Sequence, residues 1–209
     1  MSKSIAFFDL DGTLTTKDTL VEISKLLLGK KRTLFLLFKV LPRYILIKLK
    51  LYDRKKGKEY FFRLMLKNIS ETKFQNVCDD FCENHLPTIL NKKVYELLTK
   101  HKKDGSKVIV VTASAVNWVE KWCKNEGIGI IGTELETFNG YFTGKIKGLN
   151  CYGKEKARRI NLKFDLSKYD KVYAYGNSKG DKEMLALAHY SYLVKRTIFS
   201  SECLEKRYL

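Results

Sequence analysis

The chain has 209 residues, of which 44% are hydrophobic and 30% charged, and its formal net charge is +17. This composition excludes a disordered or fibrous chain and is typical of a globular protein of one domain, or of a domain with an insertion. The charge favours anionic partners, or else reflects a lysine-rich surface. No specific nucleic-acid binding is expected, because the cations are spread through the sequence rather than clustered with aromatic residues.

The cysteines and the N-terminal residues indicate a cytoplasmic protein. The cysteine number is odd, no spacing completes a zinc motif, and the thiols are therefore expected to be reduced: Cys78, Cys82, Cys123, Cys151 and Cys203. The first apolar run is too short for a signal peptide, and it leads into an acidic motif rather than a cleavage site.

The first predicted element is a buried strand at residues 4–9, which ends in the sequence Asp-Leu-Asp-Gly-Thr. Its two carboxylates, Asp9 and Asp11, are only two residues apart. Like charges this close need a cation or a shared proton, although Asp-Gly alone commonly marks a solvated turn. An apolar strand that ends in two acids favours a metal site or an acid–base site.

The next block, residues 18–103, is predicted to be almost wholly helical. Asp18 is expected to be the N-cap of a first helix that ends at Leu28, before Gly29. Further helices are expected near residues 31–51, 54–68, 71–85 and 89–103. This block is too long for a single crossover between strands, so it predicts a helical cap over residues 15–88. The core would then be formed by residues 1–14 and 89–209.

Residues 33–51 are about long enough to span a bilayer, but Pro42 interrupts them, as do four cations: Lys39, Arg43, Lys48 and Lys50. Each central charge would cost roughly 2.5–3.5 kcal/mol on insertion, so a spanning helix is not expected. Apolar bulk with interspersed cations suits a helix that lies in the interface of an anionic membrane. The alternative is an ordinary pair of cap helices packed on their neighbours, and the sequence leaves both open.

Strands and helices alternate after the cap, which predicts a parallel, doubly wound sheet. The strands are expected at residues 107–111, 127–132, 171–175 and 190–194, and the helices at 115–126, 153–162 and 178–188. A hairpin is expected over residues 134–149, with Asn139-Gly140 at its turn. The predicted fold is an α/β, Rossmann-like core with an inserted helical cap and a small β-hairpin.

Three later groups of polar residues are spaced like parts of one site: Thr112, Ala113 and Ser114 after a strand, Lys154 and Lys156 near a helix start, and Asn177 and Asp181 after another strand. Hydroxyls and backbone amides at a helix start can hold a phosphate oxygen, although the same residue types commonly only cap a helix. The lysines could balance a phosphate or be solvated surface. The last loop taken alone would be a helix-capping loop.

Together with the Asp-Leu-Asp-Gly-Thr motif, these groups in this order resemble the haloacid dehalogenase superfamily. They are most similar to its phosphoserine-phosphatase-like branch, in which a helical cap follows the first motif. The resemblance spans nearly the whole chain. It implies a phosphatase that hydrolyses a phosphate monoester, with Asp9 taking the phosphoryl group as an aspartyl phosphate. Asp11 would protonate the leaving alcohol and then activate water.

The resemblance also implies a Mg²⁺ ion and a phosphate site. The metal would be bound by Asp9, the main-chain carbonyl of Asp11 and Asn177, and by Asp181 either directly or through water. The phosphate oxygens would be held by Thr112 and by the backbone at Ala113 and Ser114.

One position departs from the family's pattern, and for another function of the site two residues are candidates. Asn177 stands where the family usually has Asp, and the missing charge should weaken Mg²⁺ binding. Lys156, which matches a signature of bacterial members, is favoured as the phosphate-contacting lysine. The alternative is Lys154, which an alignment to phosphoserine phosphatases could choose.

The substrate is also left open. Asp18 stands where phosphoserine phosphatases have a substrate-sensing Glu, and Arg63 is a candidate for binding a carboxylate. The basic, apolar part of the cap resembles that of bacterial phosphatidylglycerophosphate phosphatases. Three hypotheses follow: a Mg²⁺-dependent phosphatase of small phosphorylated substrates, a lipid phosphatase peripheral to the inner face of the membrane through residues 33–51, and a non-catalytic basic binding module.

Overall fold

The computed structural model describes residues 3–194 and the backbone of residues 204–207. The strands are β1 (Ser4–Phe8), β2 (Lys107–Ala115), β3 (Gly129–Phe138), β4 (Tyr141–Lys147), β5 (Lys171–Gly176), β6 (Tyr190–Val194) and β7 (Leu204–Arg207). They form one sheet in the order β4-β3-β2-β1-β5-β6-β7. The five central strands are parallel, and β4 and β7 are antiparallel to their neighbours at the two edges.

The helices occupy the connections between the strands. They are α1 (Thr19–Leu28), α2 (Lys30–Lys48), α3 (Arg54–Met65), α4 (Glu71–Asp80), α5 (Lys92–Lys103), α6 (Glu120–Asn125), α7 (Lys154–Lys163) and α8 (Lys182–Leu185). Helices α1 to α4 all fall between β1 and β2 in the chain. The predicted doubly wound α/β sheet with an inserted helical segment and a β-hairpin is confirmed.

The central strand β1 places side chains on both faces of the sheet, because successive residues of a strand point to opposite sides. Ala6 and Phe8 join a buried cluster with side chains from α1 to α6. Ile5 and Phe7 join a second cluster with side chains from α7 and α8. The near-continuous apolar run of β1 is therefore explained by burial on both faces, as expected for a central parallel strand.

Helix α3 lies along strand β4. The carboxylate of Glu59 accepts a hydrogen bond from the backbone amide of Ile146 at 3.1 Å. A Cβ atom added at Gly144 would lie only 2.6 Å from the Cα atom of Arg63, so the two backbones approach closely. This contact joins the inserted helices to the hairpin. The boundaries of cap and core stay predictions.

The expected helix at residues 115–126 starts later and is shorter. Strand β2 runs on to Ala115, which pairs with Thr133 of β3. A 3₁₀ turn follows, and only then does α6 begin. Cross-strand pairing thus outweighs the local helical pattern at this point.

Other boundaries also differ. The strand expected at 127–132 and the first hairpin strand are one strand, β3, whose outer half pairs with β4. The helix expected at 178–188 is a 3₁₀ turn followed by the four-residue α8. Helix α2 passes through Pro42 without a break. Pro42 is exposed, so water can satisfy the backbone carbonyl that loses its amide partner.

Among the described residues, no helix is both long and apolar enough to cross a membrane. Four cysteines are buried free thiols: Cys78, Cys82, Cys123 and Cys151. The fifth, Cys203, lies outside the described residues.

Candidate active site

The site lies at the carboxyl edge of the parallel strands, where open α/β sheets bind ligands. Asp9 follows β1 directly, and its backbone amide donates to the carbonyl of Tyr175 at 2.9 Å, which ties it to β5. Its side chain is buried. The hydroxyl of Thr13, in the same motif, donates to Asp9 Oδ2 at 3.0 Å. The end of β1 therefore presents one oriented carboxylate.

Lys156 is the cation that the fold brings to this carboxylate. Its Nζ atom donates to Asp9 Oδ1 at 2.6 Å, to Asp181 Oδ1 at 2.7 Å and to the Val111 carbonyl at 2.7 Å. The side chain is almost completely buried. Lys154 is exposed instead, at the first position of α7. Of the two candidate lysines, only Lys156 contacts the carboxylates.

The buried ion cluster changes the pKa of its members. Burial raises the pKa of Asp9 to about 7, although Lys156 opposes this and Asp181 adds to it. Burial lowers the pKa of Lys156, but the two carboxylates outweigh burial and hold it above its ordinary value. Lys156 therefore stays an ammonium group, while Asp9 is close to the point at which it can take up a proton.

Asp181 is engaged on both of its oxygens. Oδ1 accepts from Lys156, and Oδ2 accepts from the amides of Asn177 and Ser178 and from the Ser178 hydroxyl, at 2.9–3.1 Å. Direct coordination of a metal by Asp181, one of the two modes predicted, would require breaking some of these bonds. In this structure Asp181 instead positions Lys156 and closes the turn after β5.

Asp11 is held in place by two donors from different elements. The amide of Thr19, at the start of α1, donates to Oδ1 at 2.7 Å, and the Ser114 hydroxyl donates to Oδ2 at 2.6 Å. Asp11 is only partly buried. Unlike Asp9, its carboxyl group has no cation partner among the described side-chain contacts, so the two acids of the motif stand in different environments.

Thr112, Ala113 and Ser114 lie beside these acids, but not at a helix start as expected. All three belong to β2, and the amide of Ser114 is already satisfied by the Thr112 hydroxyl at 2.9 Å. The predicted helix start at this segment is therefore wrong, and the Ser114 amide is not free. What the segment offers is the Ser114 hydroxyl, next to Asp11.

Lys58 is a second cation at the site, and no local pattern in the sequence predicts it. It comes from α3, and its Nζ atom donates to the Ala113 carbonyl and, at 3.3 Å, to Asn150 Oδ1. Burial lowers the pKa of Lys58 to about 8, while Asp11 and Asp18 oppose this effect. The inserted helices thus bring a positive charge to the segment that holds Ser114.

The two predicted substrate-sensing residues have different positions. Asp18 is exposed and caps α1, where it accepts from the Val21 amide at 3.2 Å. The amide of the next residue, Thr19, donates to Asp11, so Asp18 lies beside the site. Arg63 is exposed on the side of α3 that packs on β4, and its guanidinium lies 5.6 Å from the ring centre of Tyr60. The fold does not bring Arg63 to the acids.

A divalent cation fits the oxygen atoms around Gly12. Asn177 Nδ2 donates to the main-chain carbonyl of Asp11 at 3.2 Å, and a Cβ atom at Gly12 would collide with the Asn177 side chain. Rotation of the amide by half a turn would place Asn177 Oδ1 beside that carbonyl, in the same motif that carries the Asp9 carboxylate. These are hard oxygen donors of the kind that Mg²⁺ prefers. The described residues hold no cluster of three acidic, histidine or cysteine side chains suited to a metal, so the carbonyl and amide oxygens are needed.

A pocket of about 230 Å³ adjoins the site between α2 and α3. Its lining is mostly apolar and comes largely from the inner side of α2 and from α3, and it reaches Ala113 and Lys58. We call it the α2–α3 pocket. It offers space for an uncharged group next to the acids and the lysine.

Comparisons with known proteins agree with this architecture. A family model described as haloacid dehalogenase-like hydrolase matches residues 6–186. Protein CicA of Caulobacter vibrioides (strain NA1000 / CB15N) is 32% identical over 185 residues, which are 87% of this chain and 81% of CicA. The chain therefore belongs to the haloacid dehalogenase-like hydrolases.

Comparison with solved structures shows which branch of the family has this fold. A protein of unknown function from Bordetella pertussis Tohama I has a TM-score of 0.79 and 20% identity, covering 91% of this chain and 89% of that chain. A phospho-aspartyl intermediate analogue of phosphoserine phosphatase has a TM-score of 0.64 and 18% identity, covering 91% of this chain and 86% of that chain. Within the family, the fold is that of the phosphoserine-phosphatase-like branch.

Proposed function

We propose that this hydrolase is a Mg²⁺-dependent phosphatase that cleaves a phosphate monoester through an aspartyl phosphate on Asp9. The observation that carries the proposal is the pair of acids in unlike environments. Asp9 is buried and paired with the ammonium group of Lys156 at 2.6 Å, whereas Asp11 is partly exposed and held by hydroxyl and amide donors. One acid can then accept the phosphoryl group while the other exchanges protons with solvent and substrate.

In the first step, an Asp9 oxygen forms a bond to phosphorus and the ester oxygen departs, taking a proton from the Asp11 carboxyl group. In the second step, Asp11 takes a proton from a water molecule that attacks phosphorus. The bond to Asp9 then breaks, and inorganic phosphate leaves. Lys156 and the Ser114 hydroxyl would neutralise and orient the phosphoryl oxygens.

Mg²⁺ would be held by the Asp9 carboxylate, the Asp11 carbonyl and the Asn177 amide oxygen. When bound, it would supply charge neutralisation and in-line orientation of the phosphoryl group. Asn177 contributes no charge, so the family's usual second carboxylate is missing from this set. The proposal therefore includes a requirement for added Mg²⁺ and loss of turnover with a chelator.

The test is the hydrolysis of a panel of esters by the intact protein, with and without Mg²⁺. The panel contains p-nitrophenyl phosphate, phosphoserine, sugar phosphates, nucleotides, lysophosphatidate and phosphatidylglycerophosphate.

Asp9→Asn should abolish turnover and phosphoenzyme formation while the protein stays folded by circular dichroism. Asp104→Asn, which changes an exposed acid, should leave both intact. Full turnover by Asp9→Asn would overturn the proposal. Absence of metal binding and of all turnover in the unmodified protein would instead support a non-catalytic binding module.

A further inference from the structure

The outer side of α2 is an exposed apolar surface. Seven large apolar side chains there, up to and including the C-cap residue, are each at least 39% exposed: Leu34, Phe35, Phe38, Leu41, Ile45, Leu46 and Leu49. With 3.6 residues per turn they share one side of the helix, an arc of roughly 140°. We call these seven residues the α2 outer face. Such a contiguous apolar surface marks an interaction site.

The charge around the α2 outer face has a single sign. Residues 29–52 contain no Asp or Glu and seven cations: Lys30, Lys31, Arg32, Lys39, Arg43, Lys48 and Lys50. The helical repeat puts Arg32 and Lys39 along one margin of the face and Lys48 along the other, and Lys50 follows the end of the helix. The ammonium group of Lys39 also lies 4.6 Å from the ring centre of Phe35, so its stem covers apolar surface.

An apolar stripe with cations on both margins is complementary to an anionic lipid surface. The apolar side chains can enter the boundary between headgroups and acyl chains, while the cations meet the phosphates. A second copy of this chain is a poorer partner, because pairing two α2 outer faces would bring cations against cations. The helix does not cross the bilayer, so it would lie in the plane of the interface.

The α2–α3 pocket lies on the other side of the same helix. Val40, Tyr44 and Ile47 of α2 line it, and its inner end reaches Ala113, beside the Ser114 hydroxyl. Lys48, on the margin of the α2 outer face, also lines the pocket. A helix lying on a bilayer would therefore keep this end of the pocket within about one helix diameter, ~10 Å, of the lipid surface. An apolar group in the pocket would have its phosphate next to Lys58 and the acids.

We propose that the α2 outer face docks this protein on an anionic membrane, where the α2–α3 pocket receives the apolar part of a lipid phosphate monoester. The proposal of membrane docking, the docking half, is supported by the exposed apolar side chains of the α2 outer face and the cations around them alone. The substrate half rests on the proposed phosphatase function, and the two halves are tested separately.

Docking is tested by sedimentation of the full chain with vesicles of phosphatidylglycerol and phosphatidylcholine. We expect binding at low salt, little binding at high salt, and little binding to pure phosphatidylcholine. Asp9→Asn should bind as the unmodified protein does, because docking needs no turnover. Absence of binding to the anionic vesicles at low salt would overturn the docking half. So would a concentration-dependent dimer, seen by analytical ultracentrifugation, that buries the face.

Variants test whether vesicle binding depends on the α2 outer face or is nonspecific adsorption of the protein. The double variant Phe35→Ser, Phe38→Ser should weaken partitioning about a hundredfold, and the double variant Lys39→Gln, Lys50→Gln about thirtyfold. Matched controls change equally exposed apolar residues elsewhere: Leu162→Ser on α7 and Phe138→Ser at the hairpin. Both controls should bind like the unmodified protein. Equal weakening by the controls, with all variants folded by circular dichroism, would contradict the proposal.

The substrate half is tested with two esters that differ only in the acyl chain. We expect kcat/KM for lysophosphatidate in anionic vesicles to exceed that for glycerol 3-phosphate by at least about tenfold. Equal values, or turnover of p-nitrophenyl phosphate and phosphoserine only, would overturn the substrate half and leave the phosphatase function standing. Absence of turnover for every ester would instead reject the phosphatase function, while the vesicle assay still decides docking.

Discussion

Lys156 shows how three buried charges can be stable together. Its three N–H groups donate hydrogen bonds to Asp9, Asp181 and the Val111 carbonyl. No proton of the ammonium group is therefore left without an acceptor. Burying an ion costs several kcal/mol unless it is paired and fully hydrogen-bonded, and here the pairing is complete. The same lysine therefore serves folding and, in the proposed function, the phosphoryl group.

Replacing Lys156 by Met should lower the free energy of unfolding by about 3–5 kcal/mol, because two buried carboxylates lose their cation. The loss should be larger at pH 8 than at pH 5, since at low pH the acids can be protonated instead. Denaturant unfolding measures it. Lys154→Met, on the exposed side of the same helix, should change stability by no more than about 0.5 kcal/mol. Equal effects of the two substitutions would contradict the cluster.

Lys58 gives a second pH dependence, at alkaline pH. Burial lowers the pKa of Lys58 to about 8 from 10.5, so between these values the unfolded chain binds more protons than the folded protein. The free energy of unfolding should therefore rise with pH across this window, on the order of 1 to 2 kcal/mol for a partly exposed side chain. Urea titrations of the unmodified protein and Lys58→Met should differ by this rise. Lys56→Met, an exposed lysine on the same helix, should retain it.

Substitution of Asn177 tests how strongly the absence of the family's usual carboxylate weakens Mg²⁺ binding. Asn177→Asp should tighten Mg²⁺ binding about tenfold in calorimetry, because a charged oxygen replaces a neutral one. Without Mg²⁺ the variant should be less stable than the unmodified protein, since the Asp11 carbonyl loses its amide donor. Asn125→Asp, at an exposed position of α6, is the control. Unchanged or weaker Mg²⁺ binding by Asn177→Asp would remove residue 177 from the metal site.

At the scale of elements, the packing of α3 on β4 fixes where the inserted helices sit. Gly144 permits the close approach at one end, and Glu59 caps the Ile146 amide nearer the other. Another side of α3 carries Lys58 to Ala113, in the candidate active site. The position of one helix on the hairpin thus determines which cation lies beside Ser114.

Gly144→Ala should therefore disturb both stability and this placement. Gly144 has φ +78°, and the added Cβ would press on Arg63. Gly140→Ala is a matched control, because Gly140 has φ +76° and open space around it. Both variants should lose about 1–2 kcal/mol from the positive φ, and Gly144→Ala about 1–3 kcal/mol more from overpacking. Equal losses in thermal unfolding would show that the α3–β4 contact contributes little.

Local signals predicted some elements well and others poorly. Helix α1 begins after Asp18 and ends at Gly29, as expected, because capping is decided by neighbouring residues. Strand β2 extends to Ala115 against its helical pattern, because Thr133 on another strand pairs with it. The boundaries that the sequence missed are those set by a partner far along the chain.

At the scale of the whole molecule, the site residues also divide into two groups. Some can be predicted from neighbouring residues, and others are placed by contacts far along the chain. The acids of the first motif could be chosen from the sequence, because an apolar strand leads directly into them. The choice of Lys156 over Lys154 depends on which side of α7 faces the sheet, and a resemblance, not local spacing, favoured it. Lys58 could not be found, since only the packing of α3 brings it to Ala113.

The net charge of +17 also acts on the molecule as a whole. Eleven salt bridges of Lys or Arg join described residues, but exposed pairs such as Lys147–Glu134 and Lys168–Asp165 contribute little each. The remaining cations repel one another in the compact state, and this repulsion is screened by salt over about 10 Å at moderate ionic strength.

Added NaCl should therefore raise the thermal unfolding temperature of this protein, with most of the rise at low ionic strength, where screening changes most. The effect should shrink in a variant with four exposed lysines replaced by Gln, since less repulsion is left to screen: Lys92, Lys103, Lys124 and Lys171. Scanning calorimetry over a salt series measures both proteins, and sucrose, which adds no ions, controls for general solute effects. An unfolding temperature that falls with salt, or an equal rise in both proteins, would show that self-repulsion does not limit stability.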